Sequence, residues 1–177
     1  MKCVAWLIAV LAAFGTGCGA SGAPSDCGSS SWNISSASGK ALFAGSAQCT
    51  RYSPRDIGVS LGSGGYLLDI QFPSTGSWLC SDTQVEITFS VPFADQTSQT
   101  NPSYLAGTLL TDGPPNGTCS FSVGDASPSS PTVLGTLTAS VGRCPISGCS
   151  SAADWEYASI NGSYQAYNSD YQGDGGI

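Results

Sequence analysis

Val85, Ile87, Phe89 and Val91 alternate with Glu86, Thr88 and Ser90, and this period of two recurs along most of the chain. Successive side chains of a β-strand point to opposite faces, so each such segment buries one face and wets the other. A helix would need apolar residues three and four positions apart, and no segment of normal helix length offers them. The alternation is equally plain in Ile57-Val59-Leu61, in Tyr66-Leu68-Ile70-Phe72 and in Cys119-Phe121-Val123. Val133, Leu137, Ala139 and Val141 share one parity, and Ile160, Gly162, Tyr164 and Ala166 close the set. Two further strands are predicted around Lys40 to Arg51 and Tyr104 to Thr111. Gly62-Ser63-Gly64-Gly65, Pro73-Ser74-Thr75-Gly76 and the Asp112 to Gly117 and Ser127 to Pro131 stretches supply turn chemistry between them. These features predict an all-β fold, an antiparallel β-sandwich of about seven to eight strands, with a β-barrel as the alternative. The only helical candidate is one turn near Ser150 to Tyr157 with Ser151 as its cap, and a loop is an equal reading.

A chain of 177 residues suits one domain, which at this size hides about 70% of the surface of its unfolded chain. Its first residues read as an address. Lys2 precedes an uncharged apolar run from Val4 to Phe14, which as a helix rises only about 16 Å, half of a bilayer core. A signal peptide fits that length better than a membrane span. Gly15-Thr16-Gly17-Cys18 follows, placing small residues before a cysteine where lipid attachment can occur; cleavage after Ala20 or Ala23 is the competing reading.

Cysteine parity agrees with processing near that point. Of 8 cysteines, Cys3 leaves with the signal and Cys18 is the lipidation candidate. Cys27, Cys49, Cys80, Cys119, Cys144 and Cys149 remain, an even set suited to three disulfides in an oxidising compartment. Cys144-Cys149 is expected as a local clip and Cys80-Cys119 as a long-range staple. Zinc is the poorer use, because no second cysteine pair stands at ligand spacing.

The strand Gly135-Thr136-Leu137-Thr138-Ala139-Ser140-Val141 is followed by a closing strand carrying Ile160-Asn161-Gly162-Ser163-Tyr164. With the signal and Cys18, this pattern resembles small bacterial envelope lipoproteins that end in an Ile-x-Gly-x-aromatic strand. The resemblance covers about a third of the chain. It implies a β-sandwich held at the cell envelope and assigns no active-site residue.

Composition removes several functions. The chain has no histidine, so it has neither a Ser-His-Asp triad nor an imidazole-ligated metal. Lys2, Lys40, Arg51, Arg55 and Arg143 are its only bases, too few to track a phosphate backbone, so no nucleic-acid partner is expected. The formal net charge is −7 and becomes −8 when Lys2 leaves with the signal, which keeps a domain soluble and repels anionic surfaces. No cofactor is expected.

Four chemical candidates remain. Asp154 and Glu156 flank Trp155, and two carboxylates on one strand face can serve a glycoside hydrolase, so this pair is the enzymatic alternative. Among the aromatics Trp32, Trp78, Trp155, Tyr157, Tyr164 and Tyr167, the pair Trp155 and Tyr157 is the best ligand-binding candidate, as a sugar-stacking platform; Trp78 reads as a core residue beside Cys80. Asp112, Asp125, Asp170 and Asp174 offer oxygen ligands for calcium, but no Asp-x-Asp-x-Asp run exists, and no metal site is assigned. Asn33-Ile-Ser35, Asn116-Gly-Thr118 and Asn161-Gly-Ser163 match the glycosylation acceptor pattern, which has meaning only in a eukaryotic secretory route.

The resulting reading is a signal over 1–17, a tether over 18–26, a disulfide-braced domain over 27–168 and a flexible tail over 169–177. The expected role is non-enzymatic binding or structure at the cell envelope, membrane-anchored through lipid on Cys18, with free secretion as the alternative. The expected partner is an envelope or extracellular molecule, and the first rival function is a carbohydrate-binding module.

Overall fold

The computed structural model describes residues 27–62, 65–92, 103–107, 117–144 and 149–172. The expected signal, the tether, Cys18, Asp112, Asn116 and Asp174 lie outside the described residues. Eleven strands occur among those described: β1 (Ser29–Ser36), β2 (Ala41–Ser46), β3 (Cys49–Ser53), β4 (Asp56–Leu61), β5 (Tyr66–Gln71), β6 (Gly76–Leu79), β7 (Glu86–Ser90), β8 (Ser103–Gly107), β9 (Thr118–Val123), β10 (Thr132–Arg143) and β11 (Glu156–Asn168). A single 3₁₀ turn, Ala152–Asp154, precedes β11. The fold is all-β, as the alternation predicts.

Hydrogen bonding is continuous in the order β2-β1-β11-β3-β4-β5-β7-β8-β10-β9-β6, and a further β10–β11 pairing closes the ladder on itself. The closure is uneven. β10 and β11 pair along their length, from Thr132↔Tyr167 to Arg143↔Glu156. By contrast, β11 meets β3 only at Tyr167↔Arg51 and Asn168↔Tyr52, and β10 meets β8 only at Gly142↔Leu105. These two narrow seams divide the ladder into a six-stranded layer, β2-β1-β11-β10-β9-β6, and a five-stranded layer, β3-β4-β5-β7-β8. The result is a sandwich whose sides are stitched, which also accounts for the barrel alternative.

Two expectations need correction. There are eleven described strands rather than seven or eight, and the β3–β11 contact is parallel. The Lys40–Arg51 region divides into β2 and β3, separated by Ala47 and Gln48. The strands missed entirely are β1, whose sequence is SSSWNISS, and β6, which is four residues long. Apolar periodicity is weak in both, so pairing with longer neighbours decides their structure.

The inward positions of both layers form one core. Ile34, Ile160 and Leu137 from the first layer and Ile57, Ile70, Ile87 and Phe89 from the second are all buried. Phe72 meets Phe121 at 6.1 Å between ring centroids, and Phe43 meets Tyr66 at 6.3 Å, so aromatic contacts bridge the layers. Trp32, Ser30 and Thr50 satisfy one another inside: Trp32 Nε1 donates to Ser30 Oγ at 2.7 Å, and Ser30 and Thr50 join hydroxyls at 2.5 Å. Three disulfides brace the edges: Cys27–Cys49, Cys80–Cys119 and Cys144–Cys149. The last two are the pairs expected from spacing. Past β11, Ser169 N donates to Tyr52 O and Gln172 N to Pro128 O, which ties the chain down as far as Gln172.

The outward surfaces of the layers differ in chemistry. Register places Ser46, Ser31, Ser163, Thr136, Ser122 and Ser77 in one row across all six strands of the first layer. The adjoining row contains Asn33, Asn161, Thr138 and Ser120, and neither row holds a charge. The five-stranded layer instead turns Arg51, Asp56, Asp69 and Glu86 outward.

Candidate functional site

At one end of the sandwich the layers part around a cleft of about 570 Å³. Its wall begins with Ser36 to Lys40, the turn after β1, and continues through Ala41 and Leu42 of β2. Tyr66 at the start of β5, Val91 just past β7 and Tyr104 in β8 come from the second layer. Arg143 at the end of β10 and Trp155, Glu156 and Tyr157 at the start of β11 complete it. Seven separate strand ends meet here because each element starts or stops at the same rim.

The core holds the aromatic side chains of this cleft in place. Tyr66 stacks on Phe89 at 6.0 Å, and Phe89 lies 5.9 Å from Tyr104. The Arg143 guanidinium sits 4.5 Å from the Tyr104 ring centroid while its Nε donates to Glu156 Oε2 at 2.6 Å. A planar cation can stack and pair at once, which lysine cannot do. Burial pushes the Tyr104 phenol above its usual range; Arg143 opposes that shift and Glu156 adds to it. Tyr157 is fixed by its backbone, whose carbonyl accepts from Ala37 N at 2.9 Å. Its hydroxyl oxygen is buried and has no hydrogen-bond partner among the described residues. An unpaired buried hydroxyl costs about 1–3 kcal/mol.

Of the residues singled out in the sequence, Trp155, Tyr157 and Glu156 line this cleft and Asp154 does not. The Asp154 carboxylate accepts from Ser151 N at 2.7 Å and Ser150 N at 2.8 Å, closing the 3₁₀ turn. Those backbone donors hold its carboxyl below the usual carboxylate range, the reverse of what a general acid needs. The other aromatics are placed apart from the cleft. Trp32 and Tyr164 are core residues stacked on each other at 6.3 Å, and Trp78 is half-buried with its Nε1 donating to Ser74 O at 2.7 Å. Among the calcium candidates, Asp125 accepts from Ser127 N, and no group of three metal-ligating side chains occurs among the described residues. Asn33 and Asn161 are cross-strand partners on the uncharged outer face.

Sequence reasoning missed Tyr66, Tyr104, Leu42 and Arg143 as cleft residues. Their alternation marks Tyr66 and Tyr104 as inward, but only the strand order brings them to the rim beside Trp155. No protein-family model, curated protein or solved structure matches this chain.

Proposed function

We propose that the protein is a non-enzymatic binding module of the cell envelope, anchored through lipid on Cys18, that takes a saccharide in the cleft around Trp155 and Tyr157. The observation that carries this reading is the neighbouring placement of Trp155 and Tyr157 in a cleft that also holds the Arg143–Glu156 pair. Sugars present flat C–H faces to aromatic rings and hydroxyls to fixed polar groups, and sites of this kind set a few polar groups in an apolar wall. The anchor rests on the apolar run Val4–Phe14 followed by Gly17-Cys18, and the three disulfides support an oxidising compartment. This reading keeps the envelope-lipoprotein resemblance as its context.

Fluorescence titration with gluco- and chito-oligosaccharides tests the cleft. Saturable binding by the wild type, lost in Trp155→Ala and weakened at least about tenfold in Tyr157→Ala, supports the reading, provided both variants keep the wild-type melting temperature. Equal binding in the variants, or none in the wild type, overturns it. Intact mass of the natively expressed protein tests the anchor. The expected species begins at Cys18, carries acyl chains and gains six protons on reduction, two for each disulfide; an unacylated chain beginning after Ala20 or Ala23 overturns the anchor and leaves the cleft reading intact.

A further inference from the structure

The outward face of the five-stranded layer sets Arg51, Gly58, Asp69 and Thr88 in one row across β3, β4, β5 and β7. Ser53, Asp56, Gln71 and Glu86 form the next row, so Asp56 and Asp69 are diagonal neighbours on paired strands. Diagonal side chains come within reach of each other when nothing stands between them. Gly58, directly opposite Asp69, has no side chain, and a Cβ there would meet no atom within 4 Å, so that corner of the face is open. Both residues line one open groove of about 610 Å³, and the Asp69 carboxyl stands close enough to Asp56 to raise its carboxyl.

That proximity has a chemical requirement. Ser53 Oγ donates to Asp56 Oδ2 at 3.3 Å, and Gln71 Nε2 donates to Asp69 Oδ2 at 3.1 Å. Asp56 Oδ1 is buried and receives no donor from another side chain or the backbone among the described residues. Ionised carboxylates only accept, so two diagonal neighbours, one with a buried oxygen that receives no donor, are relieved by a proton shared between them. We propose that Asp56 and Asp69 form a one-proton carboxyl pair that makes this domain most stable in acid and weakens the five-stranded layer when the proton leaves.

The surrounding charges are few. Arg51 faces the pair's row from β3, Glu86 faces it from β7 and accepts from Thr88 Oγ1 at 3.1 Å, and Asp170 lies beyond β11 near Tyr52. Burial first, and then the Asp69 carboxyl, push the Asp56 carboxyl up to about 7, with the Ser53 hydroxyl opposing. A carboxyl raised from about 3.9 in the unfolded chain adds stability that is fully present below that value. The added stability falls away as pH climbs through about 7.

Urea unfolding of the disulfide-intact protein at about pH 5 and about pH 8 tests the pair. The wild-type folding constant should fall at least about tenfold across that interval, the equivalent of one pKa unit. In Asp56→Asn the amide can donate where the proton stood, so this fall should largely vanish. An Asp56→Asn protein that loses stability as steeply as the wild type overturns the proposal. Carboxyl ¹³C resonances of the wild type decide the matter independently of whether the variant folds. A coupled titration with one midpoint near about 7 supports the shared proton, and two ordinary midpoints near about 4 overturn it.

Discussion

The indole of Trp32 fills the space that a side chain at Gly162 would occupy. The two residues are cross-strand partners on β1 and β11, and a Cβ built at Gly162 collides with the Trp32 ring. Tyr164 stacks on the same indole from two residues further along β11. Gly162 is therefore required by packing, in a strand where glycine is otherwise unfavourable.

Gly162→Ala should destabilise the domain by about 1–3 kcal/mol, the usual cost of overfilling a packed site. Urea denaturation with an unchanged m-value would measure it. A neutral result would show that the indole has room to move.

The Ser30 hydroxyl accepts from Trp32 Nε1 and joins Thr50, with Ser30 and Thr50 both buried. Removing it in Ser30→Ala leaves two polar groups short of a partner. The expected loss is about 1–3 kcal/mol, read as a lower urea midpoint. Ser31→Ala, on the exposed face one residue away, should lie within about 0.5 kcal/mol of the wild type.

The three disulfides should contribute in order of the loops they close. Sequence separations of 39, 22 and 5 residues for Cys80–Cys119, Cys27–Cys49 and Cys144–Cys149 correspond in the chain-entropy model to about 4, 3 and 2 kcal/mol. Paired Cys→Ser variants, melted one pair at a time, should reproduce that ranking. A larger loss from the Cys144–Cys149 pair than from Cys80–Cys119 would contradict it.

Arg143 should matter more for its stacking than for its ion pair. Its side chain is 11% exposed and that of Glu156 is 52% exposed, so water screens much of the pairing and Glu156→Gln should cost less than about 1 kcal/mol. Arg143→Ala also loses the contact with the Tyr104 ring and should cost about 1–2 kcal/mol. A double-mutant cycle over Arg143 and Glu156 separates the two contributions.

The sequence exposes those parts of the fold whose signal is local. β4, β5, β7, β9, β10 and β11 carry their own alternation, and each occurs where that alternation predicts. β1 is harder to see because one of its inward positions is Ser30, whose hydroxyl is satisfied by Trp32 and by the distant Thr50. β6 is mostly exposed and is a strand because β9 pairs with it. The cleft divides in the same way. Trp155 and Tyr157 stand out as neighbouring aromatics, whereas Tyr66, Tyr104 and Arg143 reach them only through the order of strands. The Asp56–Asp69 pair was within closer reach: once Gly62 to Gly65 is read as a hairpin turn, the β4–β5 register follows and sets the two acids diagonally.

The first described strand pairs with the last: β1 lies along β11 from Ser29↔Gln165 to Ser36↔Ala158, and β11 also pairs with β10 and β3. Three strands therefore wait for one segment that ends at Asn168, and no amount of upstream synthesis can complete their ladder. Contacts so distant in sequence close slowly, on the scale of milliseconds to seconds. Until residues 156–168 arrive, β1 and β3, which the Cys27–Cys49 bridge ties together, lack the neighbour they share. The nascent polypeptide thus stays threadable and accessible to oxidants, and this domain commits to its shape only after residues 156–168 have emerged.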